Sequence, residues 1–272
     1  YQANINYKET AKAISGAILR CGITYWGKQD KDKDPLFETH YKGFKAAGVP
    51  VGVYYYSAAD SVAQAKLEAQ KCLEIIKGKQ LEFPVYFDME NNERQGKLTG
   101  AQKADIAEAF LSTVEAAGYF VGFYSYSAWI YGMGSAYDRI KNKYSIWLAD
   151  YRSTPANYAK DMWQYTGSGK IAGISGNVDL NWCYKDFPSI IKKAGLNGFS
   201  KAQTQATPDN SFDVVVTCTS LYIRGGAGTT NPIRGVVRNG QVLKITEVKG
   251  NWGKLKSGEG WINISSKYCK KV

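Results

Sequence analysis

Asp88 and Glu90 stand one residue apart in the run Pro84-Val85-Tyr86-Phe87-Asp88-Met89-Glu90-Asn91. An extended strand sends alternate side chains to the same face, about 6.5–7 Å apart along the chain. The two carboxyls therefore share one face, and Val85, Phe87 and Met89 take the other. Two acids at the end of an otherwise apolar strand are costly to bury unless something uses them. A strand running out into a solvated loop would carry the same letters, so the rest of the chain has to decide.

The composition narrows the chemistry. There is a single histidine, His40. Zinc hydrolases need several imidazole or thiolate ligands, and Ser-His-Asp or Cys-His catalysis needs a histidine beside its nucleophile. His40 sits in a helical-looking stretch next to Tyr41 and reads as a surface residue. The five cysteines (Cys21, Cys72, Cys183, Cys218, Cys269) form no C-x-x-C pair, which argues against a zinc site and against a dense disulfide framework. Free thiols are expected, although a closed C-terminal barrel would bring Cys218 and Cys269 near one another. What is left is carboxylate chemistry, with no metal and no cofactor.

The chain of 272 residues is long enough for one barrel or two domains, and its net charge is +11. That charge is uneven: residues 208–272 hold 10 basic and 4 acidic side chains, a net +6. A basic surface suits an anionic polymer, whether nucleic acid, an anionic membrane or a bacterial wall with its teichoic acids, and it also simply keeps a protein in solution. No apolar run approaches the roughly 18–20 residues of a membrane span. No signal peptide is visible, and the chain opens on Tyr1 rather than Met, which leaves an upstream segment open.

The elements that must position the acids alternate along the first 195 residues. A loop leads into a short helix over 1–15, with Asn6 as cap. Strands are expected at 17–22, 51–56, 84–90, 121–126, 145–150, 161–165 and 177–180. Helices are expected at 36–47, 61–77, 99–117 and 187–194, and a polar loop at 28–34. Thr99 and Gln102 have the spacing of a capping box. Residues 46–57 and 116–127 echo each other: both read as helix end, glycine turn and strand, closing on Tyr-x-Tyr-Ser or Tyr-Ser-Tyr-Ser. Repeated helix-then-strand units predict a parallel sheet, and this number of them predicts an α/β fold with an irregular, TIM-like βα barrel.

In such a barrel the C-terminal ends of the strands gather at one mouth. Here those ends carry Arg20, Tyr54, Tyr56, Asp88, Glu90, Tyr124, Tyr126, Asp150, Gln164 and Asp179. Aromatic rings stack on the apolar faces of sugars, while carboxylates and amides bond the hydroxyls. Acids and aromatics together at the ends of different strands therefore point to a carbohydrate site.

From 196 to 211 the chain turns polar and reads as a linker. Strands near 214–218, 221–224, 242–248, 253–255 and 260–264, separated by glycine turns, predict a small all-β barrel over 212–272. Arg224-Gly225-Gly226-Ala227-Gly228-Thr229 lacks the Gly-Lys-Ser/Thr ending and the following helix of a phosphate loop, so it reads as a hairpin loop.

Several stretches together resemble the family 25 glycoside hydrolases, the Chalaropsis-type lysozymes of phage endolysins and bacterial autolysins. They are Asp34-Pro35-Leu36-Phe37, Gly48-Val49-Pro50-Val51-Gly52-Val53-Tyr54, Phe87-Asp88-Met89-Glu90, Val121-Gly122-Phe123-Tyr124, Trp147-Leu148-Ala149-Asp150-Tyr151, Met162-Trp163-Gln164-Tyr165-Thr166 and Gly173-Ile174-Ser175-Gly176-Asn177-Val178-Asp179-Leu180-Asn181. The resemblance covers residues 1 to about 190. Thr217–Thr219, Leu221-Tyr222-Ile223-Arg224-Gly225, Asn251-Trp252-Gly253-Lys254 and Gly260-Trp261-Ile262 are similar to bacterial SH3 domains, which commonly bind peptidoglycan.

The resemblance implies an irregular βα barrel that cleaves the β-1,4 bond between N-acetylmuramic acid and N-acetylglucosamine. Glu90 matches the family's proton donor, Asp88 the acid that assists at the anomeric centre, and Asp179 a further acid at the cleft. Glu90 must then keep its proton near neutral pH, and a carboxylate two residues away favours that by like-charge repulsion. Asp88 is left either as a nucleophile or as the group that orients the substrate's own acetamido arm, since carboxyl separation decides between them. Tyr54, Tyr56, Tyr124, Trp147, Asp150 and Gln164 are the expected substrate-binding residues. The family pattern opens with an Asp-Val/Gly-Ser strand before a Tyr/Trp-Gln-Gly turn. Tyr1-Gln2-Ala3 matches only the turn, so the numbering starts after that strand or one barrel strand is lacking.

The expectation is a muramidase over 1–195 and a wall-binding SH3-like domain over 212–272. Its partner is bacterial peptidoglycan, through the glycan and through the peptide stem or cross-bridge, and neither nucleic acid nor membrane. It acts on the cell wall, either phage-encoded and released through the membrane or secreted. The alternatives are a non-catalytic wall-binding protein derived from a lysozyme, an amidase or endopeptidase on the same polymer, and nucleic-acid binding by the basic C-terminal part.

Overall fold

The computed structural model describes residues 2, 4–24, 33–200 and 211–272, so most of the 28–34 loop and of the linker lies outside the described residues. The chain divides into two compact units, Tyr1–Ala202 and Gln203–Val272.

The first unit runs α1 (Tyr7–Thr10), β1 (Ala17–Ile23), α2 (Phe37–Ala46), β2 (Val51–Ser57), α3 (Val62–Ile76), β3 (Val85–Met89), α4 (Asn92–Gln95), α5 (Gly100–Ala116), β4 (Val121–Tyr126), α6 (Ser127–Met133), α7 (Tyr137–Lys141), β5 (Ser145–Ala149), β6 (Met162–Gly169), β7 (Val178–Cys183) and α8 (Phe187–Ala194). The caps are chemical. The Asn6, Ser61 and Thr99 side chains accept backbone N–H groups at the starts of α1, α3 and α5, and Thr99 and Gln102 complete the capping box. Gly48 and Gly118 end the echoed helices at φ +74° and +88°, a backbone region closed to most side chains, and each hands the chain to its strand.

β1 to β6 are parallel neighbours in chain order, and β7 folds back antiparallel on β6. The alternation read in the sequence fixes two faces. Val53, Phe87, Phe123 and Leu148 pack outward in one buried cluster with α3, α5 and α6. Tyr86, Tyr124, Trp147 and Met162 face inward and fill the curl. A barrel closed by repeated helix-then-strand units was the expectation, and the structure modifies it. No helix separates β5 from β6 or β6 from β7, and β1 and β7 are the edges of the sheet; an isolated antiparallel bridge joins Ile5, before α1, to Ile174, between β6 and β7.

The N-terminal end of the curl is plugged. Phe187 and Ile191 of α8 pack with Phe83 and Phe120, the residues that precede β3 and β4. Asn197 finishes the plug. It is fully buried, and its side chain donates to the carbonyls of Leu81 and Phe83 at 3.0 and 2.8 Å and accepts the Phe120 N–H at 2.6 Å. Residues 196–199 were read as the start of the linker, but they belong to the barrel. Polar letters concealed this, because Asn197 satisfies backbone groups rather than water. His40 also departs from the surface position expected of it: it is buried, and its Nδ1 pairs with the Tyr7 hydroxyl at 2.9 Å where α1 meets α2.

The second unit is an antiparallel sheet of β8 (Phe212–Val216), β9 (Ser220–Arg224), β10 (Ile233–Arg238), β11 (Val242–Lys249), β12 (Trp252–Leu255), β13 (Trp261–Asn263) and β14 (Cys269–Lys271), in the order β10-β9-β13-β12-β11-β8-β14. Val214, Val216, Ile223, Ile245 and Ile262 form its core. The glycine-rich run after Arg224 lies in the β9–β10 hairpin loop, as expected. β10 and β14 went unread, one being mostly exposed and the other only three residues long. Cys218 and Cys269 are free thiols.

Candidate active site

Parallel strands deliver their C-terminal ends to one rim, and the acids collect there. Asp88 lies in register with Tyr56 of β2 on one side and Tyr124 of β4 on the other. Glu90 is the residue after β3, and Asp179 is the second residue of β7, on the far side of the curl. The three act on one another electrostatically.

Asp88 lies deepest. It is 3% exposed, and its Oδ1 has no hydrogen-bond partner among the described residues. Burial first, then the charges of Glu90 and Asp179, push its carboxyl well above the usual range, while the Arg20 guanidinium in the middle of β1 pulls it back. Arg20 in turn pairs with Asp34 at 2.7 Å. Glu90 is half-buried, and it too is raised, by burial and then by Asp179. Asp88, two residues away, is the like charge expected to keep Glu90 protonated; in the structure burial leads and Asp179 follows. Asp179 is the most open of the three and is also raised by burial. Burial thus works against ionisation of each of the three carboxyls, and for Glu90 the shift is in the direction a general acid needs.

The expected substrate-binding residues divide. Tyr54 and Tyr56 line the inner wall half-buried, and Tyr56 adjoins Asp88. Tyr124 is 7% exposed and donates from its hydroxyl to Gln164 at 3.0 Å, close enough to the acids for their charges to raise its pKa after burial does. Gln164 is buried and also accepts the Tyr151 hydroxyl at 2.9 Å.

Trp147 and Asp150 are placed otherwise than expected. Trp147 is 5% exposed, ringed edge-on by Tyr54, Tyr86 and Tyr124, with its indole N–H donated to Asn181 at 2.8 Å. Its ring packs into the barrel interior. Asp150 turns to its own loop. It accepts Arg152 at 2.8 and 2.6 Å and the Ala156 N–H at 2.7 Å, and these bonds, Arg152's first, hold its carboxyl down at about 2.

The residue that sequence reasoning missed is Tyr151. Its ring is 61% exposed, and the Asp179 and Glu90 charges reach its hydroxyl. The signal was there, in an aromatic directly after a strand-end acid, but Trp147 took its place as the expected platform. Gly167 belongs to the same corner: a Cβ on it would lie 3.1 Å from the Tyr151 hydroxyl and 3.2 Å from Asp179 Oδ1. A side chain there would press both tips back by a few tenths of an ångström.

Comparison with known proteins agrees with this geometry. The family model for glycosyl hydrolases family 25 matches residues 1–174, and that for the bacterial SH3 domain matches residues 219–270. The chain is 28% identical over 186 residues to YegX of Escherichia coli O157:H7, a protein described as uncharacterized, and this match spans 66% of the chain and 65% of YegX. The modular autolysin LytC from Streptococcus pneumoniae, solved with a synthetic peptidoglycan ligand, superposes with TM-score 0.58 at 26% identity, over 66% of this chain and 43% of LytC. The bacterial lysozyme from Streptomyces coelicolor shares the fold with TM-score 0.58 at 20% identity, over 72% of this chain and 93% of its own. With seven strands curled around a rim of acids and a family match over well more than half its length, the chain belongs to family 25 of the glycosyl hydrolases.

Proposed function

We propose that this protein is a peptidoglycan hydrolase, an N-acetylmuramidase that cleaves the β-1,4 bond between N-acetylmuramic acid and N-acetylglucosamine. The observation that carries the reading is the rim itself: Asp88 buried with an unpartnered oxygen, Glu90 half-buried above it, and Asp179 facing them. Glu90 donates its proton to the glycosidic oxygen as the bond breaks. Asp88 supports the anomeric centre. It does so either as a nucleophile or by orienting the substrate's own acetamido arm, and carboxyl separation decides between the two. After burial, the negative charge of Asp179 disfavours ionisation of Glu90 and so helps it hold its proton.

The second unit supplies affinity for the wall. Tyr222 and Val236 are cross-strand partners with outward faces, 52% and 47% exposed, next to Arg224 and Arg238 on the same two strands. An apolar pair with flanking cations fits an anionic peptide-bearing polymer.

The test is digestion of purified bacterial walls by the full chain. New reducing ends should appear, and borohydride reduction should label muramic acid rather than glucosamine. Glu90→Gln should lower the rate about 10²–10⁴-fold, the usual share of a general acid. Wall binding without reducing ends would replace this reading with a non-catalytic one. Free amino groups without reducing ends would replace it with an amidase or endopeptidase.

A further inference from the structure

Among the described residues no group donates a hydrogen bond to the Glu90 carboxyl. A proton donor has to be held to within a fraction of an ångström of the bond it serves, so its position must come from elsewhere. The backbone on either side of Glu90 provides it. β3 and β4 are last in register at Asp88 and Tyr124, which leaves the Met89 carbonyl beyond the ladder on that side. The Ser125 hydroxyl donates to that carbonyl at 2.7 Å, and Ser125 is fully buried. On the other side of Glu90, the Asn91 N–H donates to the Gln95 side-chain oxygen at 3.1 Å. Gln95 is fully buried as well.

Gln95 is itself fixed from behind. Its amide nitrogen donates to the Ala59 carbonyl at 2.9 Å and to the Ser57 hydroxyl at 3.2 Å. Ser57 donates in turn to the carboxylate of Glu68 at 2.6 Å, and Glu68 also accepts the Ala58 N–H at 3.0 Å. Ser57 and Glu68 are fully buried too. A chain of satisfied polar groups therefore runs from α3 through the end of β2 to the residue after Glu90. Such a network is rigid because every member is paired, and it loses that rigidity when one member is removed.

We propose that Ser125 and Gln95 are positioning residues for Glu90, gripping the peptide groups immediately before and after it so that its carboxyl meets the glycosidic oxygen. The inference rests on the muramidase reading, since it takes Glu90 as the proton donor. Neither residue touches substrate. Their effect passes through the Glu90 backbone, and so it should fall on turnover rather than on binding.

The experiment uses the full chain with Ser125→Ala, Ser125→Thr, Gln95→Met and, as a control, Asn197→Ala at the opposite end of the barrel. Reducing-end release is measured with kcat and KM separated, and melting temperature is followed in parallel. Ser125→Ala and Gln95→Met should lower kcat roughly 10- to 100-fold with KM within about twofold, the expected penalty for a small misplacement of a reacting group. Ser125→Thr keeps the hydroxyl and should recover most of the rate. Asn197→Ala should melt at least as early and yet keep its kcat. Wild-type kcat in a folded Ser125→Ala overturns the proposal, as does a loss in Asn197→Ala that matches its loss of stability. Should Gln95→Met not fold, Ser125→Ala decides alone, because it removes a single oxygen. If the wild type releases no reducing ends, the muramidase reading is what fails. Titration of the Glu90 carboxyl by carbon NMR in wild type and Ser125→Ala then decides the inference: an altered midpoint supports the grip and an unchanged one overturns it.

Discussion

The Tyr151 hydroxyl donates to the Gln164 side chain at 2.9 Å, and that bond fixes an otherwise exposed ring at the mouth of the curl. A ring 61% exposed yet held at its tip is preorganised to stack on a sugar. Tyr151→Ala should therefore raise KM for wall fragments about tenfold, with a smaller change in kcat. Tyr151→Phe keeps the stacking face and should cost less than threefold. Steady-state kinetics on soluble glycan fragments would check both, and equal losses in the two variants would show that the hydroxyl, rather than the ring, is what matters.

Asp179 is the like charge that raises Glu90 after burial. A neighbouring carboxylate disfavours ionisation of Glu90, so removing it lets Glu90 lose its proton at lower pH. Asp179→Asn should move the alkaline limb of the kcat/KM profile toward acid, cutting activity at pH 7 several-fold while sparing more of it at pH 5. A pH–rate profile measures this directly, and an alkaline limb that stays in place would mean that burial alone sets the acid.

Asp88 should weaken the fold it serves. Its folded pKa lies above the unfolded value of about 3.9, so the folded state holds its proton longer than the unfolded state does. Stability then falls as pH rises through the interval between the two values, and it stays lower beyond it. Asp88→Asn should abolish activity while raising the melting temperature at pH 7 by ~2–4 °C, the shift that about 1 kcal/mol produces in a domain of 150–250 residues. The gain should vanish below about pH 4, where both states carry the proton. Melting curves for both proteins at pH 3.5 and pH 7 give the comparison.

Gly167→Ala tests how tightly the mouth is built. The added methyl would meet the Tyr151 hydroxyl and Asp179 Oδ1 at 3.1 and 3.2 Å. Both are side-chain tips, so the fold should hold to within about 1 kcal/mol. Displacing Asp179 and Tyr151 together should still lower kcat/KM about tenfold. Unchanged kinetics would mean that the two side chains shift aside at no cost to the reaction.

Most of the frame was legible because it follows from period and punctuation. Val85, Phe87 and Met89 alternating with Tyr86 and Asp88 predict a strand with two different faces, and the structure gives one face to the helices and the other to the interior. Glycines in the left-handed region mark the helix ends, and Thr99 with Gln102 marks a helix start. What stayed hidden depends on direction. Trp147 and Tyr151 are both aromatics close to a strand end, yet one turns into the packed interior and the other outward, and spacing alone does not say which. Asp150 reads as a cleft acid because it directly follows β5, but Arg152, two residues on, draws it into its own loop. Ser125 and Gln95 are ordinary letters whose meaning comes from backbone groups at the ends of neighbouring strands and in the turns that follow them.

The bonds of Asn197 bear on how such proteins are assembled from parts. It closes the end of the curl opposite the acids, and Leu196 and Phe199, packed into the same cluster, flank it. A recombination junction placed before residue 196 would strip the plug from the barrel and leave the Leu81 and Phe83 carbonyls and the Phe120 N–H without their partner. A junction placed after Phe199 would keep every one of those bonds and touch nothing at the catalytic rim. The fold thus marks its own seam, past which the rest of the chain can be exchanged without disturbing the packing of the first unit.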